Sequence, residues 1–262
     1  MGLKEALFSE KKRFLTGAVL ILILVCLIWI DNPYLIWATL GASYLVAFSE
    51  SLKLFACPKH PVFFGLACCI WFFALFNSRP LESGLFFLML LAGVLAYKQR
   101  DAFKHLVVFI YPTLPFLALY AIYKDFGIDA ITWLIIIIAI CDSAAYFGGR
   151  AFGKTPLSPT SPKKTIEGVV IGVASAVAIG SLLGIGILHQ NFFSSLFVSL
   201  IVALSGVVGD LYESHLKRQA GVKDSGKILP AHGGILDRFD AVLFGGVAMH
   251  FLFYFFYTSA SI

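Results

Sequence analysis

The sequence predicts an all-α, polytopic integral membrane protein with about nine transmembrane helices. Hydrophobic residues make up 59% of the chain and charged residues only 13%, and the mean hydropathy is +0.88. This apolar share exceeds that of soluble domains, and long apolar runs recur along the whole chain. We therefore expect a single membrane domain over residues 1–262.

Short polar or proline-containing breaks divide the apolar runs into nine predicted spans. They lie at residues 14–30, 34–48, 62–76, 84–97, 106–123, 128–147, 168–188, 192–209 and 239–257. The first run follows three basic residues, but it is too long for a signal peptide and leads straight into the second. The third and fourth runs are short, at about 15 residues, which allows a different tilt or an interfacial position. Pro112 and Pro115 predict a kink in the fifth span.

Positive charge is distributed unevenly between the predicted loops. If the amino terminus is cytoplasmic, all of the 20 Lys and Arg residues except Arg79 and Lys124 fall on the inner side. The positive-inside rule therefore predicts a cytoplasmic amino terminus and an external carboxyl terminus. The net charge of +5 comes from basic residues that are spread along this membrane face, where they meet anionic lipid headgroups. It therefore gives no indication of nucleic-acid binding.

The two halves of the chain differ in character. Residues 1–125 are mostly scaffold spans, whereas residues 126–262 contain polar loops rich in acid, base and glycine and form the predicted catalytic half. The five cysteines and six histidines lack disulfide or zinc-ligand spacing. Walker, Rossmann and Gly-x-Ser-x-Gly patterns are absent, which excludes the common nucleotide-binding and hydrolase folds.

The segment 214–240 is the most highly charged part of the second half. It reads SHLKRQAGVKDSGKILPAHGGILDRFD, so that cations and carboxylates flank a Gly-Gly pair. Carboxylates bind hard divalent cations, Lys and Arg neutralise phosphate oxygens, and glycines let backbone N–H groups approach an anion. This combination indicates a site for a polyphosphate and its metal ion. The alternative is a solvated loop at the membrane edge.

Asp142 lies inside the sixth apolar run, where an ionised carboxylate costs on the order of 3 kcal/mol. Such a residue is a functional candidate by default. On a helix it shares one face with Tyr146 and Arg150. A structural contact between helices is the alternative.

The loop after the sixth span combines prolines with basic residues. Pro156, Pro159 and Pro162 exclude a regular helix there. Lys163 and Lys164 then precede the start of the next predicted helix. Because a helix amino terminus offers free N–H groups and a favourable dipole, this arrangement suits phosphate binding.

Carboxylates also recur at the inner ends of the last two spans. Asp210 and Glu213 share a helix face with Lys217, and Asp237 and Asp240 repeat the i, i+3 spacing. Two carboxylates on one face are able to bind a divalent cation while the lysine reaches a phosphate. Since these helix ends lie on the same predicted membrane side, we expect them to converge on one site.

Several ordered segments carry a resemblance to a known family. They are Asp142-Ser-Ala-Ala-Tyr146, Ser161-Pro-Lys-Lys-Thr165, Gly209-Asp-Leu-Tyr-Glu-Ser214, Lys223-Asp-Ser-Gly-Lys227 and His232-Gly-Gly-Ile-Leu-Asp-Arg-Phe-Asp240. Together they resemble the signature of the phosphatidate cytidylyltransferases, also called CDP-diacylglycerol synthases. The resemblance covers roughly residues 140–245, whereas the first half resembles the family mainly in hydropathy.

The resemblance implies a specific reaction and setting. CTP and phosphatidic acid would give CDP-diacylglycerol and pyrophosphate, with Mg²⁺ required and a second cation left open. The protein would reside in the lipid bilayer of a bacterial inner membrane with its active site facing the cytoplasm, and a homodimer is compatible with the sequence.

The resemblance also implies roles for individual residues. The expected metal ligands are Asp210 and Asp237. Expected catalytic residues, which include the phosphate-binding cations, are Asp142, Lys164, Lys217, Arg218, Lys223, Asp224, Lys227, Arg238 and Asp240. Expected substrate-binding residues are Ser161, Lys163, Ser214, Ser225, His232, Gly233 and Gly234.

Two other functions compete with this interpretation. A CTP-dependent lipid-alcohol kinase shares the multi-span character and the nucleotide, but the long run from Lys223 to Asp240 argues against it. An ion-coupled transporter would use Asp142 and Asp210 to bind the driving ion. A transporter has no need for so many cations beside those acids.

Overall fold

The computed structural model describes residues 3–98, 102–188, 191–229 and 233–258. Within them the helices are α1 (Leu3–Ile30), α2 (Pro33–Leu54), α3 (Pro61–Phe76), α4 (Pro80–Tyr97), α5 (Ala102–Phe152), α6 (Ile166–Leu188), α7 (Phe192–Gln219) and α8 (Leu236–Thr258). A hairpin of β1 (Pro156–Ser158) and β2 (Ser161–Thr165) connects α5 to α6.

Six helices in the described ranges are long and apolar enough to cross a membrane. They are Pro33–Leu54, Pro80–Tyr97, Phe103–Phe152, Ile166–Gly186, Phe192–Gln219 and Leu236–Phe256. Two shorter apolar helices, Phe14–Ile30 and Pro61–Phe76, coincide with the first and third predicted spans. The helical membrane architecture is therefore confirmed, whereas the number of nine crossings and the orientation stay predictions.

Helix α5 joins the fifth and sixth predicted spans into one element of 51 residues. At about 1.5 Å per residue it would be about 75 Å long, more than twice the bilayer core of about 30 Å. The backbone leaves helical geometry at Tyr111, directly before Pro112, and again at Gly127. Gly127 has a φ of 77° and lies between the two predicted spans. The helix is therefore broken where the sequence predicts a boundary.

Helix α5 lies at the centre of the fold and packs against α2, α4, α6 and α8. Polar side chains link it to its neighbours within the apolar core. The Tyr44 hydroxyl lies 3.0 Å from Thr113 Oγ1, and Trp133 Nε1 donates to the Gly180 carbonyl at 2.7 Å. These side chains are buried, and such bonds add direction to packing that is otherwise apolar.

The hairpin is the one two-stranded sheet in the described part of the catalytic half. Its strands pair from Pro156 opposite Thr165 to Ser158 opposite Ser161. The prolines predict the absence of helix here, but the pairing of the strands follows from the turn between them. Strand β2 packs against α7, which places Lys164 beside the end of that helix.

Helices α7 and α8 approach at backbone distance. A Cβ atom at Gly209 would lie 2.5 Å from the Asp240 carbonyl oxygen and 2.9 Å from Phe244. Any larger residue would push the helices apart. This contact sets Asp210 beside the first turn of α8.

Candidate active site

A buried charge network joins the end of α7 to the start of α8. Lys217 Nζ lies 2.7 Å from Asp237 Oδ1 and 3.3 Å from Glu213 Oε1. The Glu213 side chain is fully buried, and neither of its oxygens has a hydrogen-bond partner among the described residues. The ion pair with Lys217 is therefore the contact that offsets the burial of the Glu213 carboxylate.

Asp237 also holds the signature loop, which we define as the described residues 223–229 and 233–234, against α8. Its Oδ2 atom accepts hydrogen bonds from Ser225 N at 2.9 Å, Ser225 Oγ at 2.9 Å and Gly234 N at 2.8 Å. Gly233 has a φ of 82°, and a Cβ atom there would lie 2.6 Å from Asp237 Oδ2. The Gly-Gly pair is therefore required for the loop to close on this carboxylate.

Glu50, a residue that the sequence reasoning missed, fastens the same loop from the first half of the chain. It lies on α2 with 1% exposure. Its carboxylate accepts hydrogen bonds from Ser225 Oγ at 3.1 Å, Leu236 N at 2.9 Å and Ile235 N at 3.2 Å. Glu50 lies just past the second predicted span, 34–48, so the signal that singled out Asp142, an acid within an apolar run, does not identify it.

A second ion pair forms between the hairpin and α7. Lys164 of β2 contacts the carboxylate of Asp210, whose other oxygen lies 3.4 Å from Ser214 Oγ. Lys164 and Asp210 are both partly exposed. Unlike Asp237, Asp210 therefore keeps access to a ligand.

Asp142 and Asp240 complete the charged cluster, which we define as Asp142, Lys164, Asp210, Glu213, Lys217, Asp237, Arg238 and Asp240. Asp142 lies within electrostatic reach of Lys164 and Arg238. Asp240 lies within reach of Lys217, Lys164 and Asp142. Helices α5, α7 and α8 and strand β2 thus bring their charges together, as the helix-end spacing predicts.

The remaining expected site residues surround this cluster. Arg218, Lys223, Asp224, Lys227 and Lys163 are exposed, and Ser161 is half-buried in the hairpin. Arg218 Nη1 donates to the carbonyl of Val222 at 3.5 Å, just past the end of α7. His232 lies outside the described residues. The exposed cations are therefore accessible to ligands from solution.

The cluster differs from a preformed metal cage. Among the described residues, no three His, Cys, Asp or Glu side chains converge as a metal site. Both oxygens of Asp237 are occupied by Lys217 and by the loop, whereas Glu213 has oxygens without hydrogen bonds. These hard oxygen donors nevertheless fit Mg²⁺, because it is usually held by one or two carboxylates together with substrate phosphates.

The site combines acids, ammonium groups and a glycine loop at the ends of apolar helices, as expected for a membrane enzyme that handles phosphates. The chain belongs to the cytidylyltransferase family, whose model matches residues 11–256. It is therefore a nucleotidyltransferase.

Individual relatives carry a more specific name. The chain is 48% identical over 253 residues to a phosphatidate cytidylyltransferase of Helicobacter pylori (strain ATCC 700392 / 26695). The aligned region covers 97% of this chain and 95% of the relative. It is 31% identical over an alignment of 290 positions to a phosphatidate cytidylyltransferase of Haemophilus influenzae. This alignment covers 94% of this chain and 99% of the relative. The similarity thus includes the first half as well as the charged cluster.

Proposed function

We propose that the protein is a phosphatidate cytidylyltransferase, which converts CTP and phosphatidic acid into CDP-diacylglycerol and pyrophosphate. The observation that carries this proposal is the charged cluster at the ends of α5, α7 and α8, adjacent to the signature loop. The names of the full-length relatives support it.

The reaction joins two anions, so the site must first reduce their repulsion. An oxygen of the phosphatidate phosphate attacks the α-phosphorus of CTP, and the bond from that phosphorus to the β-phosphate oxygen breaks. Lys164, Lys217 and Arg238 are the proposed partners of the phosphate oxygens. No protein base is required, because the attacking phosphate is already ionised near neutral pH.

Magnesium is the proposed cofactor, with Asp210 and Asp237 as its protein ligands. When bound, it would neutralise charge on the phosphates and on the departing pyrophosphate. Each carboxylate is paired with a lysine, Asp210 with Lys164 and Asp237 with Lys217. These ion pairs hold both carboxylates in place near the proposed substrates.

We further propose nine crossings, a cytoplasmic amino terminus and a cytoplasmic active site in a bacterial inner membrane. The break at Gly127 supports counting α5 as two crossings. The basic loops and the charged cluster then share the side on which CTP is made. We also propose that the protein forms a homodimer, which light scattering of the purified protein in detergent would detect as a particle with the mass of two chains.

The function is tested with purified protein in detergent micelles, supplied with CTP, Mg²⁺ and dioleoyl-phosphatidate. We expect CDP-diacylglycerol and pyrophosphate in equal amounts, and no product when a lipid alcohol replaces phosphatidate. Lys164→Ala should lower the rate strongly, whereas Lys124→Ala, at the opposite ends of the helices, should not. A protein that turned over the lipid alcohol but not phosphatidate would contradict the proposal.

A further inference from the structure

A large apolar groove lies between α5, α7 and α8. Its volume is about 970 Å³, and its walls include Leu114, Ile201, Leu204, Val208 and Phe251. Leu204, Val208 and Phe251 are also exposed on the surface of their helices. Because these helices are apolar enough to cross a membrane, the groove opens toward the hydrocarbon phase.

One end of the groove reaches the charged cluster. Tyr212, which lines the groove, lies between Asp210 and Glu213 on α7, and its ring centroid is 5.2 Å from that of Tyr111 on α5. The Tyr111 hydroxyl group is buried and has no hydrogen-bond partner among the described residues. It lies within electrostatic reach of Glu213 and Asp240. Since buried hydroxyl groups are nearly always paired, this one offers a hydrogen-bond donor to a polar group at this end of the groove.

We infer that the groove binds an acyl chain of the lipid substrate while the lipid phosphate lies at the charged cluster. Tyr111 then donates a hydrogen bond to an ester or glycerol oxygen between the two regions. This inference rests on the proposed function, which makes a phosphatidate the ligand.

The dimensions of the groove fit this occupant. Along α7 its lining runs from Phe197 to Tyr212, which corresponds to about 22 Å at 1.5 Å per residue. One leaflet of a bilayer core measures about 15 Å, so a membrane-length chain has room along the groove. The volume lies at the upper end of the range for small-molecule sites.

A bulky substitution in the groove, measured with a long-chain and a short-chain lipid, distinguishes acyl-chain binding from the chemical step. Ala248 lines the groove and is partly exposed, and Ala178 is exposed on α6 outside it. We expect Ala248→Trp to lower kcat/KM for dioleoyl-phosphatidate by about tenfold or more, by analogy with the discrimination of apolar pockets. Turnover of dihexanoyl-phosphatidate should be largely retained. Ala178→Trp should change neither rate.

The other outcomes overturn the inference. An equal loss with both lipids, or no loss with either, means that the groove does not bind the chain. If light scattering shows that Ala248→Trp dissociates a dimer and the chain-length selectivity is unchanged, the groove is an interface between two copies. If the wild-type protein turns over neither lipid, the proposed function itself fails, and this inference fails with it.

A second variant tests the polar end of the groove and guards against misfolding. Tyr111→Phe removes a buried hydroxyl group without a partner, so the melting temperature should stay the same or rise. We expect the KM for phosphatidate to rise about threefold to tenfold, as for one lost hydrogen bond. The KM for CTP should not change. Equal changes in both constants, or no change in either, would overturn the role of Tyr111.

Discussion

The carboxylate of Glu50 connects a helix of the first half to the signature loop. Glu50→Ala would leave the buried N–H groups of Ile235 and Leu236 without their acceptor. We expect the free energy of unfolding to fall by about 1 to 3 kcal/mol and the rate to fall with it. Glu50→Gln should lose less, because it keeps one acceptor oxygen.

Thermal unfolding in detergent and the initial rate measure this effect. Glu82→Ala is the matched control, since Glu82 is exposed and forms a surface ion pair with Arg79, three residues earlier. A Glu50→Ala protein that unfolds like the Glu82→Ala protein would show that the loop does not depend on α2.

Asp210 and Asp237 carry the same proposed role, but their surroundings predict different results. Asp210→Asn should reduce turnover by about a hundredfold or more while the melting temperature stays unchanged, since Asp210 is partly exposed. Asp237→Asn should also reduce stability, because this buried acid accepts four hydrogen bonds.

Turnover and melting temperature must be measured on the same purified preparation of each variant. Near-normal turnover of Asp210→Asn at saturating Mg²⁺ would remove Asp210 from the proposed metal site. A stable but inactive Asp237→Asn protein would place Asp237 in the chemistry rather than in loop closure.

At the scale of elements, the contact between α7 and α8 positions the charged cluster. Gly209→Ala places a methyl group 2.5 Å from the Asp240 carbonyl, and overpacking of this kind costs about 1 to 3 kcal/mol. We expect a lower melting temperature and a lower rate, because Asp210 moves away from α8. Gly93→Ala on α4 is the control, since its methyl group meets open space and favours the helix.

An unchanged rate in Gly209→Ala would mean that the spacing of these two helices is not set by the glycine. Gly93→Ala shows the general effect of alanine in a helix, which is to raise the melting temperature. A lower melting temperature in Gly209→Ala is therefore due to the close contact with α8.

Elements of this fold differ in how far the sequence predicts them. The helices are predictable because the bilayer sets the length and polarity of each run. The charged ends of α7 and α8 are predictable because helical spacing places Asp210 and Lys217 on one face. The bond from Glu50 to Ser225 joins residues 175 positions apart, and no local pattern encodes that contact. The pairing of β1 with β2 is a local contact, but the prolines there predict only the absence of helix and not the strands.

At the scale of the whole molecule, the proposed orientation predicts which side of the membrane each loop faces. In a protein without its native cysteines, a cysteine at Lys154 or Lys227 should react only with reagent on the cytoplasmic side. Both positions lie in described segments, and Lys227 is exposed. A cysteine appended after Ile262 should react only from outside.

Reaction of the cysteine at Lys227 and the cysteine after Ile262 from the same side would mean that α8, the helix between them, does not cross the membrane once. The charged cluster would still lie on one side of the membrane. This experiment therefore tests the number of crossings and not the proposed transfer of the cytidylyl group.

The central claim is that the protein transfers the cytidylyl group of CTP to phosphatidate. The most direct measurement compares CTP labelled at the α-phosphorus with CTP labelled at the γ-phosphorus, each incubated with the purified protein, Mg²⁺ and dioleoyl-phosphatidate. We expect the α-label to enter the lipid and the γ-label to appear only in pyrophosphate. Entry of the γ-label into lipid would identify a kinase and contradict the claim, and labelled lipid from neither substrate would contradict it as well.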